Sequence, residues 1–150
     1  MAAVAICGSL VNCCANAARF SQMVGMECES LMSAYVFELE YTEVIFVGRS
    51  DLENGAKNLP RTVDARHIGQ KNLGITIIGI LPAGTKMRIS WINEEVSAEG
   101  DIVSLRCLVE SGEFSGRIVD TYFVQKNRNG KAGNVPELDP KFAILLNEAH

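Results

Sequence analysis

The 150-residue sequence has no basic excess: fourteen Lys and Arg stand against eighteen Asp and Glu, a net charge of −4. Neutralised phosphates supply most of the affinity for nucleic acid, so this balance speaks against a nucleic-acid partner. The one basic cluster, Lys126, Arg128 and Lys131 around Asn129-Gly130, reads as a solvated hairpin tip. Histidine is scarce, with His67 internal and His150 terminal. Neither CxxC nor HExxH spacing occurs, so no metal site is expected. The scattered Gly69, Gly74 and Gly79 form no phosphate-cradling loop, and no cofactor is expected. There is one tryptophan, Trp91, on an alternating strand, where a core position is the simpler reading. No repeat or low-complexity tract appears. A chain this long that is 47% hydrophobic can bury a core as a single domain without staples.

Charge is also missing from Met1 to Ala18, Arg19 being the first ionised side chain. The run Ala2–Val11 has the size of a signal-peptide apolar region and is too short for a membrane-spanning helix. Ala15-Asn16-Ala17 offers small residues at the two positions a signal peptidase reads, so cleavage before Ala18 is expected. The division that follows is a leader over residues 1–17 and one β-rich domain over 18–150, periplasmic or secreted. The lysine or arginine usual ahead of such a run is absent, which leaves a buried N-terminal helix as the alternative. Leu10-Val11-Asn12-Cys13 resembles a lipobox with Asn12 in place of a small residue, so lipid anchoring through Cys13 is a second alternative. Cleavage removes Cys7, Cys13 and Cys14 and leaves Cys28 and Cys107. In an oxidising compartment that pair is expected to form one disulfide; in a reducing one, Cys107 would be a core thiol and Cys28 free.

Along the remaining chain, Tyr35, Phe37, Leu39 and Tyr41 alternate with Glu38, Glu40 and Thr42, the period of a strand with one wet face. The apolar run Val44–Val47 prolongs it. Tyr35–Val47 is thus expected to be a long edge strand able to pair with a second copy. From Ser50 to Asn72 the pattern lapses. A connection of that length is functional or hides a short element, and Thr62–Ile68 is the candidate element. A hairpin is expected from Ile75–Leu81, the turn Pro82-Ala83-Gly84-Thr85, and Lys86–Ile92. Asn93–Gly100 reads as a polar turn whose Glu94 and Glu95 diverge into water. Ile102–Val109 and Ile118–Val124 are further strands, the first with Ser104 and Arg106 on its wet side. Asp139-Pro140 reads as an N-cap and first helical residue, with Phe142, Leu145 and Leu146 as the stripe of a short C-terminal helix. Five or more strands at hairpin spacing and a terminal helix predict a mainly β fold, a small antiparallel barrel or curled sheet.

The stretch Ile75-Thr76-Ile77-Ile78-Gly79-Ile80-Leu81-Pro82-Ala83-Gly84-Thr85-Lys86-Met87-Arg88-Ile89 resembles the central hairpin of bacterial SH3-like domains. The likeness spans about fifteen residues. It implies an SH3-like barrel with Gly84 as the turn glycine and Thr85 opening the returning strand. The downstream Gly-aromatic-Val of that family is not matched, Gly116-Arg117-Ile118-Val119 being the nearest stretch. What the resemblance implies for function is an exported binding module with a protein or cell-wall peptide partner.

Among candidate site residues, Arg61, Arg66, His67 and Lys71 make a locally basic segment in an acidic chain, a surface for a partner or simply a solvated loop. His67 has Asp64 three residues before it but no nucleophile-elbow serine, so no catalytic residue is assigned. The function expected is non-catalytic binding in the bacterial envelope. The alternatives are an inhibitor or immunity-type protein that blocks a secreted enzyme, and a small hydrolase.

Overall fold

The computed structural model describes residues 20–98, 100–130 and 135–146. The expected leader, its cleavage point and Cys13 lie outside them. Among the described residues eleven strands form: β1 (Glu27–Ser30), β2 (Ala34–Leu39), β3 (Ile45–Gly48), β4 (Lys71–Asn72), β5 (Ile75–Leu81), β6 (Lys86–Ser97), β7 (Gly100–Val109), β8 (Ile118–Phe123), β9 (Gln125–Asn127), β10 (Glu137–Leu138) and β11 (Ala143–Leu145). Nine of them make one sheet, in the order β11-β1-β6-β7-β8-β3-β2-β5-β4, while β9 and β10 pair separately. The mainly β expectation holds. The sheet is not wholly antiparallel, because β3 runs parallel to β8.

One short connection dictates the shape. β5 and β6 are joined only by Pro82–Thr85, yet four strands lie between them in the sheet. In a flat sheet they would stand about 24 Å apart, and the link reaches about 18 Å at full stretch. The sheet must therefore curl until its ends approach, giving a half-barrel. This corrects the expected hairpin over Ile75–Ile92: β5 pairs with β2 and β4, and β6 with β1 and β7. The turn chemistry itself was read rightly, since Gly84 sits at φ +82° and Thr85 N–H donates to the Pro82 carbonyl.

The curl encloses a core of Cys28, Val36, Val47, Leu81, Met87, Ile89, Leu105, Val109, Val119 and Phe142 with their neighbours. A second, smaller core lies on the outer face, where Tyr35, Phe37, Ile75 and Ile77 meet Ala56 and Leu59 of the long loop. β2 therefore buries both faces, Val36 inward and Tyr35 and Phe37 outward, and has no wet face along Ala34–Phe37. It is flanked by β3 and β5, and β3 by β2 and β8. Tyr35–Val47 is thus an interior hairpin rather than an edge, and it offers no free strand to a second copy.

The C-terminal helix is not formed. Asp139 does cap a turn, its carboxylate accepting the Lys141 N–H at 2.9 Å and its carbonyl the Phe142 N–H at 2.8 Å. After that single turn, Ala143–Leu145 runs antiparallel to β1 as β11. Pairing there covers the otherwise open edge of β1 and satisfies backbone groups on both strands, which a further helical turn would not do for β1. The expected polar turn at 93–100 is likewise mostly strand, because β6 runs to Ser97 and β7 starts at Gly100.

The expected Cys28–Cys107 disulfide is absent. Both are free, fully buried thiols in contact with each other. They sit on β1 and β7 with β6 between, so two strand spacings, about 9–10 Å, separate their backbones where a disulfide spans about 4.4–6.8 Å. A thiol–thiol hydrogen bond holds Cys28 below the ordinary thiol value and pushes Cys107 above it, burial adding to the second shift.

Candidate functional site

β7 and β8 place every second side chain on the outer face. On β7 these are Ser104 and Arg106, and on β8 Asp120 and Tyr122, while Val103, Leu105, Cys107 and Val119 turn into the core. Arg106 and Asp120 are register partners. Asp120, 2% exposed, accepts hydrogen bonds from Ser104 Oγ at 2.9 Å, Arg106 Nε at 3.2 Å and the Tyr122 N–H at 2.9 Å. Burial lifts its carboxyl above the ordinary value, and those three donors pull the other way. Next along the sheet, the Arg106 guanidinium lies over the Trp91 ring, 4.6 Å from its centroid. Tyr122 carries a second such pair, Arg128 at 4.1 Å.

Ser104, Arg106 and Asp120 floor a depression of about 310 Å³ on the outer face. Its walls are Leu39, Val44, Phe46, Ile102, Tyr122 and Phe123, and its rim carries Thr42, Asn93 and Glu95. Phe46 and Phe123 are held by each other and by Phe37, with ring centroids 5.5–5.8 Å apart. A concave, mostly apolar surface with a few converging polar groups, one of them a carboxyl displaced by burial, is the usual form of a binding site. Ser104 donates to Asp120, and each Asp120 oxygen is already an acceptor within the protein.

The residues expected from the sequence lie elsewhere. The 50–72 segment contains the short element foreseen within Thr62–Ile68, a 3₁₀ turn over Ala65–His67 capped by the Asp64 carboxylate, which accepts the Arg66 N–H. Tyr35 Oη anchors this turn. It donates to the Thr62 carbonyl at 2.7 Å and accepts the Asp64 N–H at 3.0 Å. With its one proton used, its contact with His67 Nδ1 at 2.5 Å requires the imidazole to donate from Nδ1. His67 is thus a strut of the loop, its Nε2 turned away from the bond. Arg66 forks onto Asp64, a pairing that holds the exposed Asp64 carboxyl down to about 2. Arg61 lies near enough to Asp51 to stabilise its charge, and Lys71 is exposed on the edge strand β4. The basic look of this segment is therefore largely offset by its own carboxylates.

Two sequence readings change. Trp91 is 44% exposed under Arg106, not in the core, because a register shift between Ile89 and Trp91 turns it outward. Arg128 is no solvated tip: it lies on Tyr122 and donates to the Asn54 carbonyl. Ser104, Arg106 and Asp120 were passed over because a polar residue on the second face of a strand looks the same whether that face is wet or covered. The available signal was Asp120 itself, a carboxylate inside the otherwise uncharged strand Ile118–Phe123.

Among the described residues no cluster of three or more His, Cys, Asp or Glu is placed to hold a metal ion, and no helix is long and apolar enough to cross a membrane. No protein-family model, curated protein or solved structure matches the chain.

Proposed function

We propose that this chain is a non-catalytic binding module and that the outer-face depression over Asp120 is where its protein or peptide partner docks. One observation carries the reading: a concave aromatic surface whose floor carboxylate, Asp120, is bonded inside the protein while Arg106 beside it presents a donor edge. The outward-facing Trp91 and the rim groups Thr42, Asn93 and Glu95 supply the mixed border usual around the apolar centre of an interface. The envelope setting and the SH3-like kinship belong to the same proposal. They rest on the apolar Ala2–Val11 run and on the Ile75–Ile89 likeness, respectively.

Site-specific photocrosslinking in the native host tests it. With p-benzoylphenylalanine at Thr42 or Glu95, both on the rim, one discrete adduct is expected. The same group at Glu113, in the turn after β7, or at Arg66 should give none. A partner captured from Arg66 but not from the rim would move the function to the long loop.

A further inference from the structure

From the charge arrangement of the depression, we infer that its ligand presents an uncharged amide carbonyl beside an apolar side chain, with Arg106 as the residue that reads the carbonyl. This rests on the outer face being the binding face and specifies what that face selects.

Arg106 is the sole cation among the groups that line the depression, and its Nε–H is committed to Asp120. Among the described residues no acceptor takes its terminal N–H groups, and none of them is sealed from solvent. The guanidinium is held from two sides, by Asp120 at Nε and by the Trp91 ring 4.6 Å from its central carbon, which restricts the directions of the free donors. An incoming acceptor therefore meets a preoriented hydrogen-bond edge next to apolar walls. The charge of that edge is already compensated by Asp120, and Glu95 adds a second carboxylate at the rim. A ligand carboxylate would gain one cation and face two anions in a partly desolvated place, where like charges repel more strongly than in bulk water. A neutral carbonyl takes the same donors without that repulsion. A cationic ligand meets Trp91 and Tyr122 with one face of each ring already covered by an arginine.

The chain's sole tryptophan makes this measurable, because anything bound at Arg106 changes the surroundings of Trp91. The probes are N-acetyl-L-phenylalanine methylamide and N-acetyl-L-phenylalanine, which differ in the charge of the terminal group. Both are titrated to ~20 mM, the range suited to fragment-sized ligands, following Trp91 fluorescence and amide and Arg106 Nε–H shifts by NMR. The methylamide is expected to shift Tyr122 and Arg106 and to bind about tenfold more tightly than the carboxylate. In Glu95→Gln/Arg106→Gln/Asp120→Asn, which removes every charge lining the depression and keeps hydrogen-bonding groups in place, the two probes should bind alike. Equal or tighter binding of the carboxylate to the native chain would overturn the inference and leave the binding face standing. So would a preference that survives in the triple variant. If neither probe moves any outer-face signal, the binding-face reading fails and this inference with it.

Discussion

Arg106→Gln strips the cation from a carboxylate whose side chain is 3% exposed. Breaking a buried pair by removing one partner costs about 3–5 kcal/mol, because the charge left behind stays desolvated. Asp120 would keep its bonds from Ser104 and the Tyr122 N–H, so the lower end, about 3 kcal/mol at pH 7, is expected. For a chain of this size that is a fall in Tm of roughly 6–12 °C. The pH dependence has a fixed sign. Burial already holds Asp120 above its ordinary value in the folded state, and loss of Arg106 raises it further. A carboxyl raised on folding binds its proton more tightly folded than unfolded. Its penalty is therefore nil below the unfolded value near 3.9, grows as pH rises through the window, and is complete above the folded value. The deficit of Arg106→Gln should accordingly be small at pH 4 and full at pH 7. Urea denaturation followed by far-ultraviolet circular dichroism at both pH values gives the comparison. Adding Asp120→Asn should restore most of the loss at pH 7. A deficit under about 1 kcal/mol at pH 7, or one equal at both pH values, would refute the buried-pair reasoning.

Three further outcomes are expected. Gly79→Ala would place its methyl 2.4 Å from Phe114 Cζ; overpacking of about 1–3 kcal/mol should follow, partly relieved by Phe114→Leu, and a neutral Gly79→Ala would mean that Phe114 does not pack there. Tyr35→Phe unbinds the Thr62 carbonyl, the Asp64 N–H and His67 Nδ1 together, so a loss of about 1–3 kcal/mol should come with faster tryptic cleavage at Arg61 and Arg66; unchanged cleavage would show that the hydroxyl does not anchor the loop. Cys28 and Cys107, both 0% exposed, should resist alkylation in the folded protein and take one adduct each on unfolding without reductant, whereas a mass two protons low and no adducts would reinstate the disulfide.

How much of this was legible in the sequence depends on what each signal measures. Apolar runs and period-2 alternation located β5, β7 and β8 to within about two residues and the start of β2 to within about one, because they report side-chain character along one strand; they merged β2 with β3. They do not report what covers the second face. Tyr35 and Phe37 were read as the single buried face of β2, although Val36 is buried on the other. Ser104 and Arg106 were read as wet, although they form the floor of the depression. Strand pairing was less legible still. A tight turn at Pro82–Thr85 implies a hairpin only where the linked strands are neighbours, and here the curl of the whole sheet brings their ends together. The C-terminal segment had helical spacing, but the edge of β1 claimed Ala143–Leu145. The long loop was placed correctly with its short element inside; its pairing of Arg66 with Asp64 was visible as a two-residue spacing and went unused. Arg106 with Asp120 joins residues fourteen apart, and only the register of β7 on β8 reveals them.

Amide hydrogen exchange of the chain, free and bound to the partner recovered by crosslinking, tests most directly whether the outer-face depression is the binding face. A partner seated over Asp120 should slow exchange at Thr42–Val44, at Ser104–Arg106 and at Tyr122–Phe123 while leaving residues 61–71 unchanged. Protection confined to 61–71, with the outer face of β7 and β8 unaffected, would contradict it and assign binding to the loop that holds Arg61, Arg66, His67 and Lys71.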